Sequence, residues 1–246
     1  MTDGFGIIVI GDEILNGRRL DRHFAALGER LRGRGFRVAW LRILPDDPDY
    51  LVAEFRRTMA EGIPVLCCGG IGATPDDHTR ACAASAAGVA LERHPGAAAE
   101  IEARFGADAY PHRIRMADLP RGSDLIPNPY NRIPGFSIKR HYFMPGFPDM
   151  AHPMAEWVLD TCFASGGQPE RQCALRVHGV TESALMDLME GLVERFPAVK
   201  LFSLPRLGER FEIELGFRGR GDLDAPLQAM IDGLEARGIN YERLDG

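Results

Sequence analysis

The chain has 246 residues, a net charge of -6 and a pI near 5.7, with 45% hydrophobic and 26% charged residues. That balance fits a globular protein of one large or two smaller domains, and the acidic surplus argues against nucleic acid as a partner, which needs a basic face. No stretch is long and apolar enough to span a bilayer, so a membrane role is not expected either.

The first residues, MTDGFGIIVIGDE, read as a strand ending in a glycine and two acids rather than as a signal peptide. Residues 5–10 are the predicted first strand. Asp21 is placed to cap a helix in which Phe24, Leu27 and Leu31 recur at helical spacing until Gly33 and Gly35 stop it. Residues 36–44 alternate Phe36, Val38 and Trp40 and predict a second strand. Tyr50, Leu51, Glu54, Phe55, Thr58 and Met59 fit a helix. Residues 63–68 predict a third strand and residues 77–87 a third helix. Strands alternating with helices predict an α/β fold, a three-layer arrangement with a mostly parallel sheet covered on both faces. The five cysteines (Cys67, Cys68, Cys82, Cys162, Cys173) show no CxxC and no zinc spacing, and read as core thiols of a reducing cytoplasm.

From about 106 to 148 the chain is rich in proline and glycine, with residues 137–144 predicted as a strand and 148–163 as a helix opened by its proline. A hinge follows at 164–169. The remainder predicts strands at 173–180, 199–204, 211–218 and 239–244, with helices at 182–195 and 222–237. That βαββαβ order suggests a small two-layer α+β domain. The expected division is 1–168 and 169–246.

The segment GGIGATPDDHT, residues 69–79, stands between the third strand and the third helix. Gly69, Gly70 and Gly72 carry no Cβ, so backbone N–H groups there can approach a phosphate closely. Thr74 could add a hydroxyl. Asp76 and Asp77 follow, as candidates to hold a divalent cation. The same Thr74-Pro75-Asp76-Asp77 also reads as an ordinary helix start, with a cap, a proline at the first position and acids in the first turn. Asp12 and Glu13 follow the first strand and reach the same sheet edge, as metal ligands, as a general base or simply as a helix start. Asp46, in LPDDP after the second strand, points to the same edge, whereas Asp47 suits a cap. Pro145-Gly146-Phe147-Pro148 forms a second wall of the expected pocket, with Asn128 and Gly135 shaping a loop beside it. The glycine segment is neither a Walker A loop nor GxGxxG, so ATPase and NAD readings find no support. His23, His78 and His152 read as surface or packing residues more readily than as ligands. Gly216-Phe217-Arg218-Gly219 mimics the GxxG loop of RNA-binding KH domains, but residues 170–246 hold 14 acidic and 10 basic side chains, against RNA binding.

Several segments together resemble one family. GDEILNG (11–17) looks like the first signature of the molybdopterin-binding, molybdenum-cofactor biosynthesis domain, and GGIGATPDDHT like its second. PDD at 45–47 sits where that family has an aspartate after the second strand. NPYNRIPGF and MPGFPDM resemble the CinA-like branch, the competence/damage-inducible protein A group. GVTESALMDLM (179–189) resembles the start of the KH-like domain of that branch. The chain departs from the family at His23 (usually Asn), Ala73 (usually Pro) and His78 (usually Leu).

The resemblance implies a molybdopterin-binding fold followed by a KH-like domain. It implies either metal-dependent hydrolysis of the pyrophosphate in nucleotides such as ADP-ribose or FAD, or binding and adenylylation of molybdopterin. Binding of a pterin or nucleotide without turnover is a third expectation. For the hydrolase, Asp77, Asp46 and Glu13 would hold Mg²⁺ or a similar ion, and with Asp12 would activate water. Gly69, Gly70, Gly72, Thr74, Asp76, Pro145 and Gly146 would line the phosphates and ligand. A cytoplasmic homo-oligomer is expected. The amidohydrolase domain of larger CinA proteins is not expected in this chain, so neither is deamidation of a nicotinamide nucleotide.

Overall fold

The protein is described from a computed structural model covering residues 4–206 and 211–244. It divides into two compact units, Met1–Gly167 and Gln168–Gly246. The first unit runs β1 (Gly4–Ile10), α1 (Asp12–Leu15), α2 (His23–Gly33), β2 (Arg37–Leu44), α3 (Pro48–Glu61), β3 (Val65–Cys68), α4 (Thr79–Ala87), β4 (Leu91–Arg93), α5 (Pro95–Phe105), β5 (Asp118–Pro120), β6 (Asp124–Ile126), β7 (Gly135–Ile138), β8 (His141–Met144) and α6 (Pro148–Cys162). Its main sheet has the order β2-β1-β3-β8-β7-β6. The four strands from β2 to β8 are parallel, and β7 and β6 complete the sheet by antiparallel pairing.

The two-residue period of β1 explains the layering. Ile8 and Ile10 enter a core completed by Leu51 and Phe55 of α3, Cys82 and Ala83 of α4, and Ala97 and Ile101 of α5. Phe5, Ile7 and Val9 point to the opposite face, against Leu27 and Leu31 of α2 and Met154, Val158 and Leu159 of α6. A central strand buried on both sides is the signature of a parallel sheet between two helical layers.

Four expectations are corrected. The strand predicted over 137–144 is a hairpin: Lys139 and Arg140 both have positive φ, 49° and 62°, and a two-residue loop of that hand matches the right-handed twist of its strands. The elements β4, α5 and β5 fall where the sequence showed only a gap and a proline-rich stretch. Pro95 opens α5, with the His94 side chain accepting from the Ala97 N–H at 3.3 Å. The third helix begins at Thr79 rather than at residue 77, with consequences described below. The expected caps do form: Asp21 accepts from the N–H groups of His23 and Phe24, at 2.8 and 3.0 Å, and Asp47 from Tyr50 at 2.8 Å. All five cysteines are free; Cys67, Cys68 and Cys82 are buried, but Cys162 is exposed at the end of α6 and is not a core thiol.

One buried group predicts a pH dependence of stability. His141 of β8 is fully buried, between the Thr58 hydroxyl at 2.8 Å and the Lys139 carbonyl at 3.1 Å. The carbonyl requires a proton on Nδ1, which leaves Nε2 to accept from Thr58 and the ring neutral. Burial pushes its pKa down from 6.5 to about 4. Between those values the unfolded chain binds a proton that the folded protein refuses, so stability falls as pH drops through that window, by at most about 3 kcal/mol. Urea unfolding at pH 7 and pH 4.5 should show a steeper acid loss in the wild type than in His141→Gln. Equal losses would contradict this assignment.

The second unit runs β9 (Arg171–His178), α7 (Met186–Arg195), β10 (Lys200–Arg206), β11 (Glu212–Gly219), α8 (Asp224–Glu235) and β12 (Tyr241–Leu244). Its antiparallel sheet has the order β10-β11-β9-β12. Leu175, Val177, Ile213, Leu215 and Phe217 pack on Leu185, Met189 and Leu192 and on Met230, Ile231 and Leu234. The βαββαβ order is therefore observed. The GxxG resemblance is not carried by a loop: residues 216–219 lie inside β11, with Gly216 paired to Ala174 and to Phe202, so those residues cannot form a backbone clamp of the KH kind.

Candidate functional site

The carboxyl ends of the four parallel strands converge on one cleft of about 460 Å³. β1 delivers Gly11 and Glu13, β2 delivers Asp46, β3 delivers the loop from Gly69 to Asp77, and β8 delivers Pro145, Gly146 and Phe147. Gly11 N–H bonds the Leu44 carbonyl at 3.1 Å, and Gly69 N–H the Met144 carbonyl at 3.0 Å, so adjacent strands hand their loops to the same edge. Open α/β sheets bind ligands at this edge. A cleft of this volume is within the usual range for a small molecule.

The glycine loop is fixed from beneath. Gly69 has φ +119°, and a Cβ there would lie 2.2 Å from the Ile10 carbonyl oxygen; no other residue fits without moving backbone. A Cβ on Gly72 would lie 2.4 Å from Asp77 Oδ2. Asp77 turns back onto its own loop: its Oδ2 accepts from the Thr74 N–H at 2.9 Å and from the Thr74 hydroxyl. This overturns the helix-start reading of Thr74 to Asp77. The two acids stand in a separate turn before α4, because Thr79, not Thr74, begins the helix and ties it to the loop. The Thr79 hydroxyl donates to the Gly69 carbonyl at 3.0 Å, and its N–H to the Gly70 carbonyl at 3.1 Å.

Asp46 and Asp12 exchange hydrogen bonds. Asp46 Oδ2 accepts from the Asp12 N–H at 3.0 Å, and Asp12 Oδ1 from the Asp46 N–H at 3.3 Å. Partial burial raises the Asp46 carboxyl above its ordinary pKa; the bond from Asp12 N–H opposes this, and the negative charges of Asp12, Glu13 and Asp76 add to it. Glu13 is also 3.9 Å from Arg19, another residue of the lining.

Gly69, Gly70, Gly72, Thr74, Asp76, Asp77, Asp46, Glu13, Pro145 and Gly146 all line this cleft. Asp12 does not; its side chain is committed to the Asp46 backbone. Among the described residues no three His, Cys, Asp or Glu side chains are gathered as a ready metal cage. The donor set still suits a magnesium-like ion, which keeps water and phosphate oxygens and needs only one or two carboxylates. His23 and His78 are not in the lining. His23 is buried behind it, its Nε2 3.2 Å from the Gly146 carbonyl, and burial lowers its pKa against the opposing pull of that bond and of Asp21.

Sequence reasoning missed three contributors. Arg80 is buried and donates to the Gly72 carbonyl at 2.7 Å, to the Asp118 carbonyl at 3.1 Å and to the Arg115 carbonyl. Thr79 anchors the loop as described. Asn131 lines the cleft with Asn128. An arginine one residue into a helix after a glycine loop was the available signal for Arg80. Asn131 had none, because its contribution depends on how the 128–133 turn folds.

A family model described as "Probable molybdopterin binding domain" matches residues 6–164. A CinA-like protein of Citrifermentans bemidjiense is 34% identical over 206 residues, covering 79% of this chain and 49% of that protein. The chain thus spans about half the length of such curated relatives. A protein of Aeropyrum pernix is 32% identical over 213 residues, covering 82% of this chain and 79% of its own length. Among solved structures, CinA of unknown function from Thermoplasma acidophilum is similar at a TM-score of 0.58 and 28% identity, over 63% of this chain and 96% of that one. Fold, cleft and sequence agree: the chain belongs to the molybdopterin-binding domain family, in its CinA-like branch.

Proposed function

We propose that this protein is a divalent-metal-dependent hydrolase of nucleotide pyrophosphates, of the ADP-ribose or FAD type. The observation that carries the reading is the meeting of a glycine loop whose close packing admits no side chain at Gly69 with Asp46, Glu13, Asp76 and Asp77 around one cleft at the carboxyl edge of the sheet. The N–H groups of residues 69–74 would receive the phosphates. Asp46, which the Asp12 N–H holds at the cleft, would take the proton of the attacking water as general base while the new oxygen–phosphorus bond forms. The bridging oxygen then leaves on the other phosphate, releasing AMP. Asp77 and Glu13 would hold the metal ion, which when bound supplies charge neutralisation at the phosphoryl group. Asp12 would hold Asp46 in place.

Asp77→Asn tests this directly. The amide oxygen can still accept from Thr74, so the loop is retained, but the negative charge is gone. Turnover should fall about a hundredfold or more, as for loss of one transition-state charge partner, with an unchanged circular dichroism spectrum. A variant with wild-type turnover would end the mechanism. The family model's description, a probable molybdopterin binding domain, favours a second reading in which molybdopterin is the ligand, with transfer of AMP from ATP to it as the reaction. In that case ATP would be consumed only when pterin is supplied. A thermal shift with ligand but no product would instead indicate binding without turnover. A cytoplasmic homo-oligomer remains part of this proposal.

A further inference from the structure

A buried arginine underlies the glycine loop. Arg80 is only 8% exposed, and among the described residues its guanidinium donates to backbone carbonyls alone: Nη2 to Gly72 at 2.7 Å, Nη1 to Asp118 at 3.1 Å and also to Arg115. Its Nε is buried without a partner. The two nearest carboxylates are engaged elsewhere, the Asp118 side chain with Arg93 at 2.6 Å and Asp77 with the Thr74 N–H at 2.9 Å. A charge buried without a bonded counter-charge is unfavourable unless something offsets it. Neutral carbonyls do so in part, and an anion on the far side of the loop would add to it.

The same bonds set the direction of the loop's donors. In a planar trans peptide the N–H points opposite to the carbonyl of the residue before it. Three successive carbonyls are tied to the first turn of α4: Gly69 to the Thr79 hydroxyl at 3.0 Å, Gly70 to the Thr79 N–H at 3.1 Å, and Gly72 to Arg80. The N–H groups of Gly70, Ile71 and Ala73 therefore point away from α4. All three residues line the cleft, and among the described residues these N–H groups bond no backbone carbonyl. Backbone N–H groups gathered in this way form an anion-binding concavity. We infer that Arg80 is a positioning residue for the phosphate site. It fixes the 72–73 peptide so that the Ala73 N–H joins those of Gly70 and Ile71 on one phosphate group, and it places a buried positive charge behind them. The inference rests on the reading of this loop as a phosphate site, and deepens it by naming the three donors and the residue that aims one of them. Arg80 itself touches no ligand.

The test is titration of the purified protein with inorganic pyrophosphate in Mg²⁺, read by calorimetry and by the ¹⁵N amide signals of Gly70, Ile71 and Ala73. In the wild type all three signals should shift. Arg80→Met, shown to be folded by circular dichroism, should bind at least about tenfold more weakly, a difference of ~1.4 kcal/mol. It should lose the Ala73 shift and keep those of Gly70 and Ile71, whose peptides Thr79 holds. Arg80→Lys, which keeps the charge, should recover part of the affinity. Thr79→Val removes the hydroxyl from the Gly69 carbonyl and should instead reduce the Gly70 shift. An arginine that only supported the fold would lower the unfolding midpoint and leave the Ala73 shift in place. Wild-type affinity with an intact Ala73 shift in folded Arg80→Met overturns the inference. So does a wild type in which Gly70 and Ile71 shift but Ala73 does not, a result that needs no variant to fold. Pyrophosphate that moves none of the three signals in the wild type would overturn the phosphate reading of the loop together with the inference.

Discussion

Replacing Asp46 with Asn is expected to slow AMP release about a hundredfold to ten-thousandfold, the range spanned by loss of a positioned general base. The amide oxygen of the variant can still accept from the Asp12 N–H, and Asp12 can still accept from the backbone of residue 46, so the loop after β2 should keep its shape. The pH profile separates this role from a structural one. Asp46 acts only when ionised, and burial with its acidic neighbours raises its pKa. The wild-type rate should therefore fall on the acid side as this carboxyl is protonated, at a pH that its burial and acidic neighbours raise and the charge of a bound cation lowers. The Asn variant should lack that limb. An active variant with the same acid limb would remove Asp46 from the mechanism.

Gly69→Ala is expected to be the most damaging single methyl group in the site. At φ +119° the added Cβ meets the Ile10 carbonyl oxygen at 2.2 Å, and neither partner is a flexible side-chain end. Backbone strain of about 1–3 kcal/mol and overpacking of about 1–3 kcal/mol together give roughly 2–6 kcal/mol. That is a large share of the ~5–15 kcal/mol by which domains are stable. Gly146→Ala is the control across the cleft. Its Cβ would meet only the Gly69 backbone, the Cα at 3.4 Å and the N at 4.0 Å, ordinary contacts. Urea unfolding midpoints should drop markedly for Gly69→Ala and little for Gly146→Ala. Equal midpoints would show that the loop yields where the geometry says it is fixed.

The sequence made the parallel framework legible because apolar strand segments such as residues 5–10 and 63–68 alternate with segments of helical spacing such as Phe24, Leu27 and Leu31. It also made the place of the glycine loop legible, between the third strand and the helix after it, where the loop and its two acids line the cleft. It misplaced the start of α4. Thr74, Pro75 and the acids satisfy every local rule for a helix start, and the competing bonds from Thr79 to Gly69 and Gly70 join segments that only the fold brings together. Asp12 and Asp46 lie 34 positions apart, so their exchange of hydrogen bonds, which withdraws Asp12 from the cleft, had no local signature. The strand predicted over 137–144 concealed a hairpin because Lys139 and Arg140 are not residues that advertise positive φ.

The measurement that most directly tests the central claim is product analysis. Purified protein would be incubated with ADP-ribose, FAD, NAD, CoA and ATP, each with Mg²⁺, Mn²⁺, Co²⁺ or Ni²⁺, and released AMP separated by chromatography. The account predicts AMP from ADP-ribose or FAD, abolished by a chelator and by Asp77→Asn. No AMP from any substrate with any metal, in a protein shown to be folded, would contradict it.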